Sequence, residues 1–120
     1  MAANPHRGEV DITLDGVTYQ MRPTYSAIVA WETACGAGTL EIIRRMAART
    51  YRTREIVEVI AAGMAAGGHR PTSDQVGEMV VSTGQAHVID PVLRLLEYAL
   101  TGGKDIGASP PGEDVAADQT

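Results

Sequence analysis

The segment Glu9-Val-Asp-Ile-Thr-Leu-Asp-Gly-Val-Thr-Tyr-Gln-Met-Arg22 carries the pattern of a β-hairpin. Apolar and polar residues alternate on both sides of Asp15-Gly16. That dipeptide suits a type I′ turn, in which both central residues need positive φ. A two-residue loop sets Leu14 opposite Val17, Ile12 opposite Tyr19 and Val10 opposite Met21, so six apolar residues share one face. The other face pairs Thr13 with Thr18, Asp11 with Gln20 and Glu9 with Arg22, the last as an expected ion pair. Pro23 has no N–H to give to a ladder and ends the second strand.

Downstream the apolar period changes from two to 3.6. Helices are expected at about 24–36, 39–48, 53–66, 72–82 and 86–101. The first carries the stripe Ala27, Ile28, Trp31, Ala34 and Cys35 and stops at Gly36 and Gly38. Thr39 and Thr53 suit the N-caps of the second and third. Leu40, Ile43, Met46 and Ala47 are the expected buried set of the second, and Ile56, Val57, Ile60 and Met64 of the third. Thr72 with Gln75 forms a capping box for the fourth. The fifth has the stripe Ile89, Val92, Leu93, Leu96, Ala99 and Leu100, with Pro91 in its first turns or at its first position behind Asp90.

The expected fold class is therefore α+β, an N-terminal two-stranded antiparallel hairpin packed on a bundle of four to five short helices. A lone hairpin is marginal in water. Its apolar face is expected to rest on the Trp31 helix and the C-terminal helix. Residues 1–8 read as an N-terminal arm, 9–101 as one domain and 102–120 as a disordered acidic tail. Residues 104–120 hold one basic and four acidic groups.

The 120 residues include 10 basic and 15 acidic side chains, a formal net charge of −5. That balance disfavours a general nucleic-acid binder, which needs excess positive charge to displace counterions. No uncharged run approaches the roughly 20 residues of a membrane helix, and the first residues contain no apolar signal segment. No membrane role is expected. The single cysteine, Cys35, has no partner for an internal disulfide, which fits a reducing cytoplasm.

Chemistry finds little to work with. His6, His69 and His87 stand far apart, with no His-x-x-x-His or Glu-x-x-His pair to seed a metal site. Cys35 falls on the apolar face of the first helix, where a buried thiol is the ordinary reading, and a nucleophile would need His69 or His87 folded against it. Gly36-Ala-Gly38-Thr39 lacks the Gly-Lys-Ser/Thr signature of a phosphate loop and reads as a helix end. Asp90 and Glu97 read as a cap and a solvated position. No catalytic residue, cofactor, metal or small-molecule substrate is expected, and the chain is not expected to be an enzyme.

One charge cluster stands out. Arg44, Arg45, Arg49, Arg52 and Arg54 place half the basic residues at the junction of the second and third helices, partly offset by Glu41 and Glu55. It reads as a solvated face with local pairs, as an anchor for an acidic protein segment, or as a nucleic-acid contact. The last is disfavoured because no recognition-helix pattern or stacking aromatics accompany it. The two hairpin edges are a second candidate surface, open to strand addition unless the arm or a helix covers them.

Beyond the residues themselves, Asn4-Pro-His-Arg7-Gly8-Glu9-Val, Leu14-Asp15-Gly16 and Tyr19-Gln-Met-Arg22-Pro-Thr resemble the family of gene transfer agent and tailed-phage tail assembly chaperones, also known under a tail tube name. The resemblance continues through Ala30-Trp-Glu32-Thr-Ala-Cys-Gly36, Ile60-Ala-Ala-Gly63-Met-Ala-Ala-Gly67 and Val92-Leu-Arg-Leu-Leu96-Glu, over about residues 4–100. It implies a non-catalytic protein of the host cytoplasm that binds the tape measure protein, the tail tube protein or both during tail assembly, with self-association open. Covering a long helix with exposed apolar stripes keeps it from aggregating. The alternative is a structural tail component retained in the particle, against which stands the larger β-sandwich that a tube-forming protein usually needs. A small helical nucleic-acid-binding regulator is more remote. The expected partner surface combines Arg7, Glu9 and Arg22 with Arg44, Arg45, Arg49, Arg52 and Arg54.

Overall fold

The computed structural model describes residues 8–102. The arm residue Arg7 and the acidic tail lie outside the described residues. The chain runs β1 (Val10–Leu14), β2 (Val17–Met21), α1 (Tyr25–Cys35), α2 (Thr39–Ala47), α3 (Thr53–Ala66), α4 (Ser73–Thr83) and α5 (Ile89–Thr101), with a 3₁₀ turn at Gln85–His87 before α5. The α+β class and the hairpin-first order are those expected from the sequence.

The hairpin has the register set by its turn: Val10 pairs with Met21, Asp11 with Gln20, Ile12 with Tyr19, Thr13 with Thr18 and Leu14 with Val17. Asp15 (φ 51°) and Gly16 (φ 78°) take the two positive-φ positions. On the other face the exposed Thr13 and Thr18 hydroxyls lie 2.9 Å apart, and Arg22 Nε lies 3.7 Å from Oε2 of Glu9, which is buried and not solvated. Val10, Ile12, Leu14 and Met21 are buried, but Val17 is exposed. At the tip the Asp15 N–H donates to Thr83 Oγ1 at 2.9 Å, so the hairpin ends level with the last residue of α4, where its cover runs out.

α3 is the hub. Ile56, Val57, Val59, Ile60, Gly63 and Met64 give it an unusually broad buried face, and α1, α4, α5 and β2 all pack on it. This corrects the expectation that the Trp31 helix seats the hairpin. β2 lies on α3, while β1 leans on α4 and α5. The reason is the pair Gly63 and Gly67, one turn apart, which lets the backbone of β2 come close. Arg22 N–H donates to the Gly63 carbonyl at 3.0 Å. α1 runs antiparallel along another side of α3, with Cys35 beside Glu55 and Ala27 and Ala30 beside Ala62 and Ala66.

Two caps differ from expectation. Gly38, not Thr39, is the N-cap of α2. The capping acceptor comes from α1 instead: Glu32 Oε2 accepts from both the N–H and the hydroxyl of Thr39, each at 2.8 Å. Thr39 is thereby turned inward as the first helical residue, and it accepts from Trp31 Nε1 at 3.0 Å. Arg52, not Thr53, precedes α3, its N–H donating to Glu55 Oε1 at 3.0 Å while Thr53 Oγ1 accepts from Gln85 Nε2. Thr72 and Gln75 do form the expected reciprocal box on α4.

These anchors also rotate the helices. With Thr39 inward, Ile42 and Met46 follow at the next turns, so Leu40 and Ala47, expected inside, are exposed. Ala34 is likewise exposed on α1. On α5, Leu95 joins Val92 and Leu96 in the core because that helix packs against α2, α3 and β1 together, and Leu100 is left outside. Pro91 is the third residue of α5, where a missing N–H removes no helical bond.

Candidate functional site

The arginine cluster is assembled by the α2–α3 junction, with Arg49 in the left-handed conformation at φ 61°. Three of its five members are engaged within the chain. Arg45 is a latch: its guanidinium donates to the buried Glu55 and its Nε lies 3.4 Å from Glu41, so the end of α2 is tied to the start of α3. The hydrogen bond to Glu55, with the charges of Glu55 and Glu41, holds the guanidinium further above its already high pKa. Arg44 reaches Glu41 at 4.0 Å and Arg54 reaches Glu58 at 3.7 Å. Arg49 and Arg52 are exposed and make no ion pair among the described residues. Local pairing therefore accounts for Arg44, Arg45 and Arg54, and leaves two positive charges facing solvent.

Glu9 and Arg22 do not join this cluster. Arg22 is fixed at Gly63 while Arg45 is fixed at Glu55, eight residues earlier on α3, which separates the two places by about 12 Å along the helix axis. The hairpin edge of β2 is also partly taken, by the Gly63 carbonyl and by the close approach of Gly67 to Gln20. Of the expected partner surface, the described residues thus place Glu9 and Arg22 at the base of the hairpin and the arginines at the α2–α3 junction, and Arg7 lies outside the described residues.

The groups with chemical potential stay apart. Cys35 Sγ lies 3.9 Å from the Glu55 carbonyl oxygen, and burial, with the negative charges of Glu55 and Glu58, pushes its pKa up to about 11. His69 packs edge-on against Tyr19, ring centroids 5.3 Å apart. Among the described residues no group of three or more His, Cys, Asp or Glu side chains is placed to hold a metal ion, and no helix is long and apolar enough to cross a membrane. Because the thiolate is the reactive species, native Cys35 is expected to alkylate with iodoacetamide at pH 8 about 100-fold more slowly than the urea-unfolded chain, the ratio set by the two-unit displacement alone. Folding should also weaken as pH rises from about 9 to about 11. In that window the folded thiol holds a proton that the unfolded one has lost, and Cys35→Ala should abolish this part of the pH dependence.

One surface has only a faint signal in the sequence. α3 and α4 run antiparallel, Ser73 Oγ donating to Glu58 Oε1 at 3.2 Å at one end and Gln85 bonding Thr53 at the other. Between them lies an open groove with about 770 Å³ of free space. Val57 and Gly77 form its floor, and Asp74, Glu78 and Val81 its α4 wall. The spacing of Asp74, Glu78 and Val81 at i, i+4 and i+7 marks one face of a helix, and Gly77 marks a place without a side chain. Neither feature says that the face is left uncovered.

A family model described as "Phage tail tube protein, GTA-gp10" matches residues 7–102. No curated protein and no solved structure matches the chain. The match spans both strands and all five helices, including the hairpin, the hub helix α3 and the glycines that seat β2 upon it. The chain belongs to the GTA-gp10 family of phage tail tube proteins.

Proposed function

We propose that this protein is a non-catalytic structural part of a phage-like tail, retained in the particle through contacts with other tail proteins or with further copies of itself. The observation that supports this reading is the family membership across the whole described fold. Its physical counterpart is a surface with charge and apolar groups available for contact, while the reactive side chains are scattered. Quantitative mass spectrometry of purified particles tests it. A structural subunit is expected in many copies per particle, at a fixed ratio to the other tail proteins. Its absence from particles whose tails are complete would overturn the reading.

A second reading, a chaperone that binds the tape measure or tube protein and then leaves, is favoured by one feature. The only sheet among the described residues has two strands, and the edge of β2 is engaged by α3, so a tube wall continued by strand pairing would have to displace that helix. The same measurement separates the two. A chaperone is abundant in assembly lysates and scarce in finished particles.

A further inference from the structure

The α3–α4 groove and the two unpaired arginines lie on neighbouring parts of the same molecule. α3 starts directly after Arg52, and its first turns, Thr53 to Glu58, form one wall of the groove. On the opposite wall Asp74 and Glu78 are exposed and have no ion-pair partner among the described residues. The N-terminus of α4 is reason enough for Asp74 in its first turn. It does not explain Glu78 a turn later, nor Val81 beside it, which is 66% exposed. Gly77 leaves the floor open: a Cβ placed there meets only Val57 Cγ2, at 3.9 Å. Arg54 also lines the groove but is paired with Glu58, so Asp74 and Glu78 leave it acidic, and close by stand two arginines with no ion pair among the described residues.

The geometry points to a second copy of this chain as the occupant of the groove, with Arg49 and Arg52 of one copy set against Asp74 and Glu78 of the other. This deepens the structural reading above and rests on it for its place in a particle. Charge complementarity decides the occupant. Each patch is the opposite of the other in sign, each has two charges, and neither has an ion-pair partner among the described residues. Because the patches are neighbours on one molecule, a two-fold pair satisfies both contacts at once, and a head-to-tail arrangement satisfies them in series. Val81, at the rim of the groove, adds exposed apolar area that charges alone do not supply.

The test is a reciprocal charge reversal in the full chain, read by sedimentation velocity. The wild type is expected to associate at low ionic strength and to dissociate as salt rises from roughly 0.02 M to 0.5 M. R49E/R52E and D74R/E78R are each expected to weaken association by about tenfold or more. All four positions are exposed and have no side-chain ion pair among the described residues, so circular dichroism should show both variants folded. An equimolar mixture of the two variants is expected to associate again, because every reversed position then faces one of opposite sign. A wild type that is monomeric at low salt, variants that associate as it does, or a mixture that stays monomeric would each overturn the proposal. Loss of association in R49E/R52E alone would also do so, by assigning the arginines to some acidic segment other than the groove. These failures are distinct from that of the structural reading: a particle rich in this protein whose association ignores charge reversal loses the interface only.

Discussion

Replacing Trp31 with alanine is expected to remove about 3–5 kcal/mol of stability, the range for truncating a buried aromatic. The side chain is fully buried at the meeting of α1 and α2. Its loss would leave a cavity and would also undo a relay. Trp31 Nε1 donates to Thr39 Oγ1, which donates in turn to Glu32, the residue that caps α2. A domain of this size has roughly 5–15 kcal/mol in total, so the variant should melt at least about 12 °C lower and be partly unfolded at 37 °C if the parent lies at the low end. Trp31→Phe keeps most of the ring and drops the donor, and should cost about 1–3 kcal/mol. Thr39→Val strands the buried indole N–H and should cost a similar amount. The two should be non-additive, since each breaks the same bond. Trp31 is the only tryptophan, so circular dichroism is the probe for its variants. An alanine variant that melts within two or three degrees of the parent would show that this corner does not hold α1 to α2.

How far the sequence could be read depended on whether neighbours along the chain settled a question. The hairpin is the clearest case: turn chemistry fixes loop length, loop length fixes register, and register fixes which side chains share a face. All three are local. The Thr72–Gln75 box is legible for the same reason. Where a cap is supplied from elsewhere in the fold, local propensity misleads. Thr39 looks like an N-cap, but a carboxylate seven residues back takes that role and turns the threonine into the core, rotating α2 so that Ile42 replaces Leu40 inside. The same limit applies to surfaces. Five arginines in eleven positions are visible as a cluster, yet only the fold shows that Glu55 and Glu58 consume part of it and that Arg49 and Arg52 are left over. The groove between α3 and α4 depends on which helices pack side by side, and no spacing in one helix reveals that.

The seat of the hairpin yields the second large effect. Gly67→Ala is expected to cost about 3 kcal/mol, the upper part of the range for overpacking. A Cβ at that position would stand 2.0 Å from the Gln20 carbonyl oxygen and 2.9 Å from its carbon. Both are backbone atoms of β2 and cannot swing aside as a side chain would. Relief requires β2 to lift off α3, which lengthens the bond from Arg22 N–H to Gly63 and loosens Met21 from its buried site. Gly63→Ala should be milder, because its Cβ meets Leu95 Cδ2 at 2.7 Å, the end of a flexible chain, and Met21 Cβ at 3.1 Å. Gly77→Ala should go the other way, gaining about 0.5–1 kcal/mol, since glycine in a helix interior is costly and the new methyl meets only ordinary contact. Heat denaturation of the three variants should therefore order them Gly77→Ala above the parent, then Gly63→Ala, with Gly67→Ala about 10 °C or more below it. A Gly67→Ala protein as stable as the parent would mean that β2 does not sit against the end of α3, and that the strand edge there is free for another chain to pair with.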